Sequence, residues 1–265
     1  MNKFIKDGLN STAQVLSEFC LNCYKTFISL IRISVLSSIR VAWQSTTFLR
    51  SKRSTSCCVL GNGPSLKEDF KNGDVLTEGN DIFCVNMFCS SPLFMRLKPK
   101  CYFLIDGAFF APKDERNKKL VEELKQSLAN VDWEMNLVIS SSSVSNGSLL
   151  RELNNKHIKI IRLNSTEVDG FRCFRHWAYR HHMGMPRCQN VVNFAICTAI
   201  NMRYSNVYLY GVDHTWTRDL FVDNENVVCY GDRHVYNTSL TIIKKKGSFA
   251  LLLNQFAMMF QSHYL

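Results

Sequence analysis

Four polar residues that each close an apolar run carry the chemistry legible in this chain. They are Asn62 after Cys57-Cys58-Val59-Leu60-Gly61, Asn86 after Phe83-Cys84-Val85, Asp106 after Tyr102-Phe103-Leu104-Ile105, and Asp213 after Tyr208-Leu209-Tyr210-Gly211-Val212. Ligands of open parallel sheets collect beyond the carboxyl ends of the strands. One polar strand end alone would read as a helix cap, whereas four at one sheet edge describe a shared pocket. The first lies in Gly61-Asn62-Gly63-Pro64-Ser65. Gly61 and Gly63 can take positive φ and admit a ligand close to the backbone, and Pro64 suits the first helical position. A helix starting near Ser65 would then turn free N–H groups toward a phosphate. The same glycine pair also fits a strand-to-helix turn without a ligand.

A second segment, Arg172-Cys173-Phe174-Arg175-His176-Trp177-Ala178-Tyr179-Arg180-His181-His182, is basic and aromatic. It could form a lid that neutralises a pyrophosphate or an acidic acceptor, with Arg187 assisting at the entrance of the following helix. Its three histidines lack partners at metal-ligand spacing, so an exposed interaction surface is a better reading than zinc. Arginines interleaved with aromatics also occur in nucleic-acid grooves. The body is only mildly basic and carries no nucleic-acid motif, which argues against such a partner.

The elements that must position these residues follow from the alternation of strand-like and helix-like segments. Strands are expected at 57–60, 82–86, 101–105, 136–139, 158–163 and 206–210, and helices at 65–71, 114–129, 190–202 and 248–260. A serine-rich loop falls between 140 and 148. This pattern predicts an α/β fold: a Rossmann-like, mostly parallel sheet with helices on both faces. With 265 residues, 46% of them hydrophobic, the chain can bury one substantial core.

An amphipathic helical arm over residues 1–53 precedes this catalytic unit, which takes residues 54–265. The arm holds no Pro, and eight of its residues are Lys or Arg against Asp7 and Glu18, so much of the formal charge of +10 sits there. On a single helical wheel Phe27, Ile28, Ile31, Val35, Leu36, Ile39, Ala42 and Trp43 share one half, with Ser29, Ser37, Arg40 and Gln44 opposite. Arg32 and Arg40 make it a poor spanning segment, each costing about 2.5–3.5 kcal/mol near a bilayer centre. No small-residue cleavage site follows it, which argues against a signal peptide. Two readings stay open: a helix lying on an anionic membrane, or one packed on the body or on a second subunit.

The eleven cysteines sit mainly in apolar runs and read as buried thiols of a reducing compartment. Cys20 and Cys23 have C-x-x-C spacing but no second pair and no nearby His.

The glycine turn with Leu66-Lys67-Glu68, the Asn86 strand end and Tyr208-Leu209-Tyr210-Gly211-Val212-Asp213 resemble the bacterial sialyltransferases of glycosyltransferase family 42. They are also similar to a wider family of glycan-cluster proteins related to the archaeal 6-hydroxymethylpterin pyrophosphokinase. The resemblance covers about residues 57–236 and does not reach the arm. The sialyltransferase side of it implies a Rossmann-like domain that takes a CMP-sugar without metal, Asn62 and Asn86 contacting the nucleotide. It also implies a late histidine, best matched by His234, that deprotonates the acceptor hydroxyl, and tyrosines like Tyr230 and Tyr236 that hold the departing phosphate. Asp106 stands where those enzymes carry an Asn. A pair of acidic strand ends, Asp106 and Asp213, could instead hold Mg²⁺ against a triphosphate, as the pyrophosphokinase side would require.

The expected function is transfer from a nucleotide sugar to a glycan acceptor in bacterial surface-glycan assembly, with no cofactor beyond the donor. Its expected place is the cytoplasm, peripheral to the inner membrane. A metal-dependent phosphotransferase and a non-catalytic assembly scaffold are the alternatives. The apolar residues Phe249, Leu252, Leu253, Phe256 and Phe260 would seek a neighbour, a second copy being one choice.

Overall fold

Short runs that are apolar at every position must be buried on both faces, and that places them in the middle of a parallel sheet. Apart from the Ser56 and Asp81 that start the first two, strands β1 (Ser56–Leu60), β2 (Asp81–Val85) and β3 (Cys101–Leu104) are such runs, buried throughout in a computed structural model of the protein. It describes residues 3–52, 54–70, 79–142, 147–188, 190–213, 220–225, 227–232, 241–244, 253, 254 and 257. With β4 (Met135–Ser140), β5 (Ile158–Leu163) and β6 (Asn206–Tyr210) they form one sheet in the order β5-β4-β3-β2-β1-β6. All five pairings are parallel. The outer strands β5 and β6 each carry exposed residues, as edges do, while β5 still buries Ile161 and Leu163.

Helices cover both faces. On one lie α3 (Leu66–Asp69), α4 (Leu93–Leu97), α5 (Glu115–Ala129) and α6 (Ser148–Glu152), packed through Leu66, Phe94, Val121, Leu124, Leu128 and Leu149. Asp114 starts α5 by accepting from the Asn117 N–H at 2.8 Å. On the other face α8 (Val191–Asn201) presses Phe194, Ala195 and Ala199 on β1, β2 and β3. Asn190 caps it through the Asn193 N–H at 2.8 Å.

The arm is two helices, not one. α1 (Lys3–Leu36) ends at Ser37, and Ser38, with extended φ/ψ, caps α2 (Ile39–Leu49). A single wheel through 27–44 therefore runs across a break. Ala42 is buried while the adjacent Trp43 is exposed. α2 puts Phe48 and Leu49 into the same core as α8, so it is built into the body.

Beyond β5 the chain makes a small cap. α7 (Arg172–Arg180) packs Ala178 with Val168 and with Ile33 of α1, and Glu167 bridges to Met185. Past β6, β7 (Leu220–Val222), β8 (Val228–Asp232) and β9 (Thr241–Lys244) form a separate antiparallel sheet in the order β7-β8-β9. Asp223 Oδ1 closes the β7–β8 turn by accepting from the Glu225 and Val227 N–H groups. Of the expected helix 248–260, residues 253, 254 and 257 are described, all helical.

Candidate nucleotide site at the sheet edge

β1 leads to β2 on one side and has β6 on the other, so the order of the sheet reverses between β1 and β6. That is where open α/β sheets bind ligands. Two turns meet there, Gly61-Asn62-Gly63 and Gly211-Val212-Asp213. The Gly61 N–H donates to Tyr210 O and the Gly63 N–H to Gly211 O, each at 2.8 Å, which extends the β1–β6 ladder into the turns. A Cβ on Gly61 would stand 2.3 Å from Gly211 O, and one on Gly63 would stand 1.8 Å from Asp213 Oδ2. Gly61 and Gly63 thus make room for neighbouring protein, not for positive φ; the left-handed residue is Gly211, at φ +64°.

The expected phosphate cradle is corrected by the same contacts. α3 is a single four-residue turn, too short to offer a helix terminus, and the Ser65 N–H donates at 3.2 Å to Asp213 Oδ2. Asp213 is a cap for this turn. Asp106 likewise accepts from the Ala108 N–H at 2.9 Å and lies exposed beyond β3. Between the ends of β3 and β6 lie three strand spacings, about 14 Å, whereas oxygens on one Mg²⁺ stand within about 4 Å of each other. Asp106 and Asp213 thus leave strand ends well apart, and each carboxylate is held by a local backbone N–H. Among the described residues no group of three His, Cys, Asp or Glu side chains converges for a cation.

Asn62 and Asn86 do come together. Asn62 Nδ2 donates to Val85 O at 3.1 Å, which ties the end of β1 to the last residue of β2 and leaves Asn62 Oδ1 buried without a partner. Asn86 follows Val85 at φ 48°, a left-handed conformation that Asn tolerates better than most residues, and its Oδ1 is also buried and unpartnered. A buried amide oxygen without a donor costs about 1–3 kcal/mol. Two such oxygens, at the ends of the adjacent strands β1 and β2, could accept from the N–H or O–H groups of a ligand.

Sequence reasoning missed the residue that sets this geometry. The Tyr102 hydroxyl of β3 donates to Asn86 O and accepts from the Cys89 N–H at 3.1 Å, pinning the turn after β2. Burial, reinforced by the neighbouring Cys89, pushes the Tyr102 phenol well up, so it stays protonated and can donate. A tyrosine inside an otherwise apolar strand was the available signal, since a buried hydroxyl needs a partner.

The other expected residues make different contacts. Arg187 Nε stands 3.5 Å from Glu167 Oε1, and Glu167 also holds Arg32 of α1 at 3.1 Å, so this arginine braces the cap. Tyr230 lies in β8, opposite Leu220. His234 and Tyr236 lie outside the described residues. On α7, Trp177 stacks with Phe174 at 6.1 Å and contacts His181 at 5.4 Å, while Arg172, His176 and Arg180 are exposed. At the opposite end of the sheet two cavities of about 260 and 220 Å³ share Lys100, whose ammonium is bound by Asp81 at 2.9 Å and Ser51 O at 2.7 Å. That cluster fastens the α2–β1 connection.

A family model described as 6-hydroxymethylpterin diphosphokinase MptE-like matches residues 34–219, from the end of α1 past β6. No curated protein matches the chain. Among solved structures it is similar to the MAf glycosyltransferase from Magnetospirillum magneticum AMB-1, at 13% identity and a TM-score of 0.40. The similarity covers 69% of this chain and 29% of that one, so it spans less than a third of that protein.

Proposed function

Since the chain belongs to the MptE-like family, we propose that it is a transferase working on a nucleotide-activated donor, and specifically a glycosyltransferase. The observation that carries this reading is the pair of buried, unpartnered amide oxygens of Asn62 and Asn86 beside the point where the strand order reverses. They suit the exocyclic amine of a base or the hydroxyls of a ribose, and no phosphate-binding helix terminus is required. A CMP-sugar such as CMP-sialic acid is the first donor to try. In the transfer step an acceptor oxygen forms a bond to the anomeric carbon, the bond from that carbon to the phosphate oxygen breaks, and the nucleotide leaves. The acceptor proton passes to His234, whose neutral imidazole suits proton removal near pH 7.

Diphosphoryl transfer to a hydroxyl, the activity in the family's description, is the second reading.

A thermal-shift screen of nucleotides and nucleotide sugars, with and without Mg²⁺, tests both, followed by mass spectrometry of the products. Glycosyl transfer predicts stabilisation by a nucleotide sugar that survives EDTA and release of the nucleotide phosphate. Asn62→Ala and Asn86→Ala should each weaken binding about tenfold or more. Stabilisation by ATP that EDTA abolishes, with AMP as product, would select the second reading. Unchanged affinity in both asparagine variants would overturn the site.

A further inference from the structure

α1 is built inside out. Apart from the buried Ile33 and a Phe19–Phe171 ring contact, the side it turns to the body is polar: Ser29, 1% exposed, exchanges hydrogen bonds with the Asp169 backbone at 2.9 Å, and the Thr26 hydroxyl accepts from the Phe171 N–H at 3.0 Å. Lys25 pairs with Asp169 at 2.8 Å and Arg32 with Glu167 at 3.1 Å. The opposite side presents Leu16, Tyr24, Phe27, Ile31 and Val35, 46–74% exposed and at helical spacing. After the break, α2 adds Ile39 at 76% and Trp43 at 80%.

We propose that this apolar face seats on an anionic lipid bilayer, with α1 lying in its plane. Charge selects that occupant. Lys25 and Arg32 are neutralised by carboxylates of the cap, whereas Arg40, Arg50 and Lys52 stay exposed, and only Asp7 and Glu18 oppose the eight basic residues up to 53. A second copy would bring like charges together, while anionic headgroups attract them. Tyr24 and Trp43 have the apolar body and polar tip that suit the headgroup level. Segment Ala13–Leu36 is long and apolar enough to cross a membrane. To cross, it would have to shed the Lys25 and Arg32 pairs and the buried Ser29 contacts, so it lies flat. This inference rests on α1 and α2 and is independent of the transferase reading.

The full chain should be sedimented with phosphatidylcholine vesicles and with vesicles also containing phosphatidylglycerol, and its mass in solution measured by light scattering. We expect binding to the anionic vesicles that weakens with salt. The double variant Phe27→Glu, Ile31→Glu should lose partitioning about tenfold or more while its circular dichroism and melting are unchanged. Lys119→Glu on α5, which alters net charge equally, should bind as the parent does. No vesicle binding, or binding indifferent to the double variant, would overturn the proposal. So would a lipid-free dimer that the double variant converts to monomer, because the face would then belong to a second copy.

Discussion

At the scale of single residues, the glycine turn was legible as a special place and misread in its reason. Two glycines around an asparagine resemble a ligand cradle, yet the atoms crowding Gly61 and Gly63 are Gly211 O and Asp213 Oδ2, from a turn about 150 residues away. No local pattern reports such a neighbour. Asn62 and Asn86 were identifiable because each ends a run that must be a buried strand, which sends the next polar side chain to the rim. Asp213 now has a definite task, and a prediction follows from it. Asp213→Asn keeps an acceptor for the Ser65 N–H and should leave melting and nucleotide-induced shifts close to those of the parent. Asp213→Ala should cost about 1 kcal/mol in denaturant unfolding, the usual loss for a missing cap. If Asp213→Asn instead abolishes a Mg²⁺-dependent shift, the carboxylate binds metal.

At the scale of elements, the six strands fell within a residue or two of expectation, since short, mainly apolar runs of this length have few other homes. The expected helices 114–129 and 190–202 match α5 and α8, and their first residues, Asp114 and Asn190, form the N-cap bonds. Hydrophobic periodicity shows that a stripe exists but not which way it points, so the orientation of α1 could not be read. The ion pairs that set it carry a pH signature. Burial pushes the Asp169 carboxyl up, but Lys25, the Gly170 N–H and Arg175 outweigh it and hold it below the ordinary value of 3.8. A depressed carboxylate stabilises the fold fully above 3.8 and loses that contribution as the pH falls through its lowered value. Amide exchange in residues 25–37 should therefore accelerate on acidification below 3.8 before that of β1–β3, and Lys25→Met should remove the difference. Uniform acceleration across the chain would show that α1 is not held by this pair.

At the scale of the whole molecule, eleven cysteines divide by depth. Burial raises Cys57 to about 12 and Cys58 to about 11, and it also lifts Cys84, Cys89 and Cys101. Cys20, Cys23 and Cys173 are exposed. Alkylation of the native protein at pH 8 should label these three quickly and reach Cys57, Cys58, Cys84, Cys89 and Cys101 only after denaturation, as peptide mass spectrometry can read. Rapid labelling of Cys57 or Cys58 would contradict the buried sheet. One side chain links the distant parts of this body. Asn164, directly after β5, accepts from Ser38 N and Ser141 Oγ and donates to Ser38 O and His182 O, all within 3.1 Å. A single carboxamide thus knots the hinge between the first two helices, the serine turn and the exit of α7. Any tilt imposed on those helices from outside must tug at this knot, and so at the rim where the strands end.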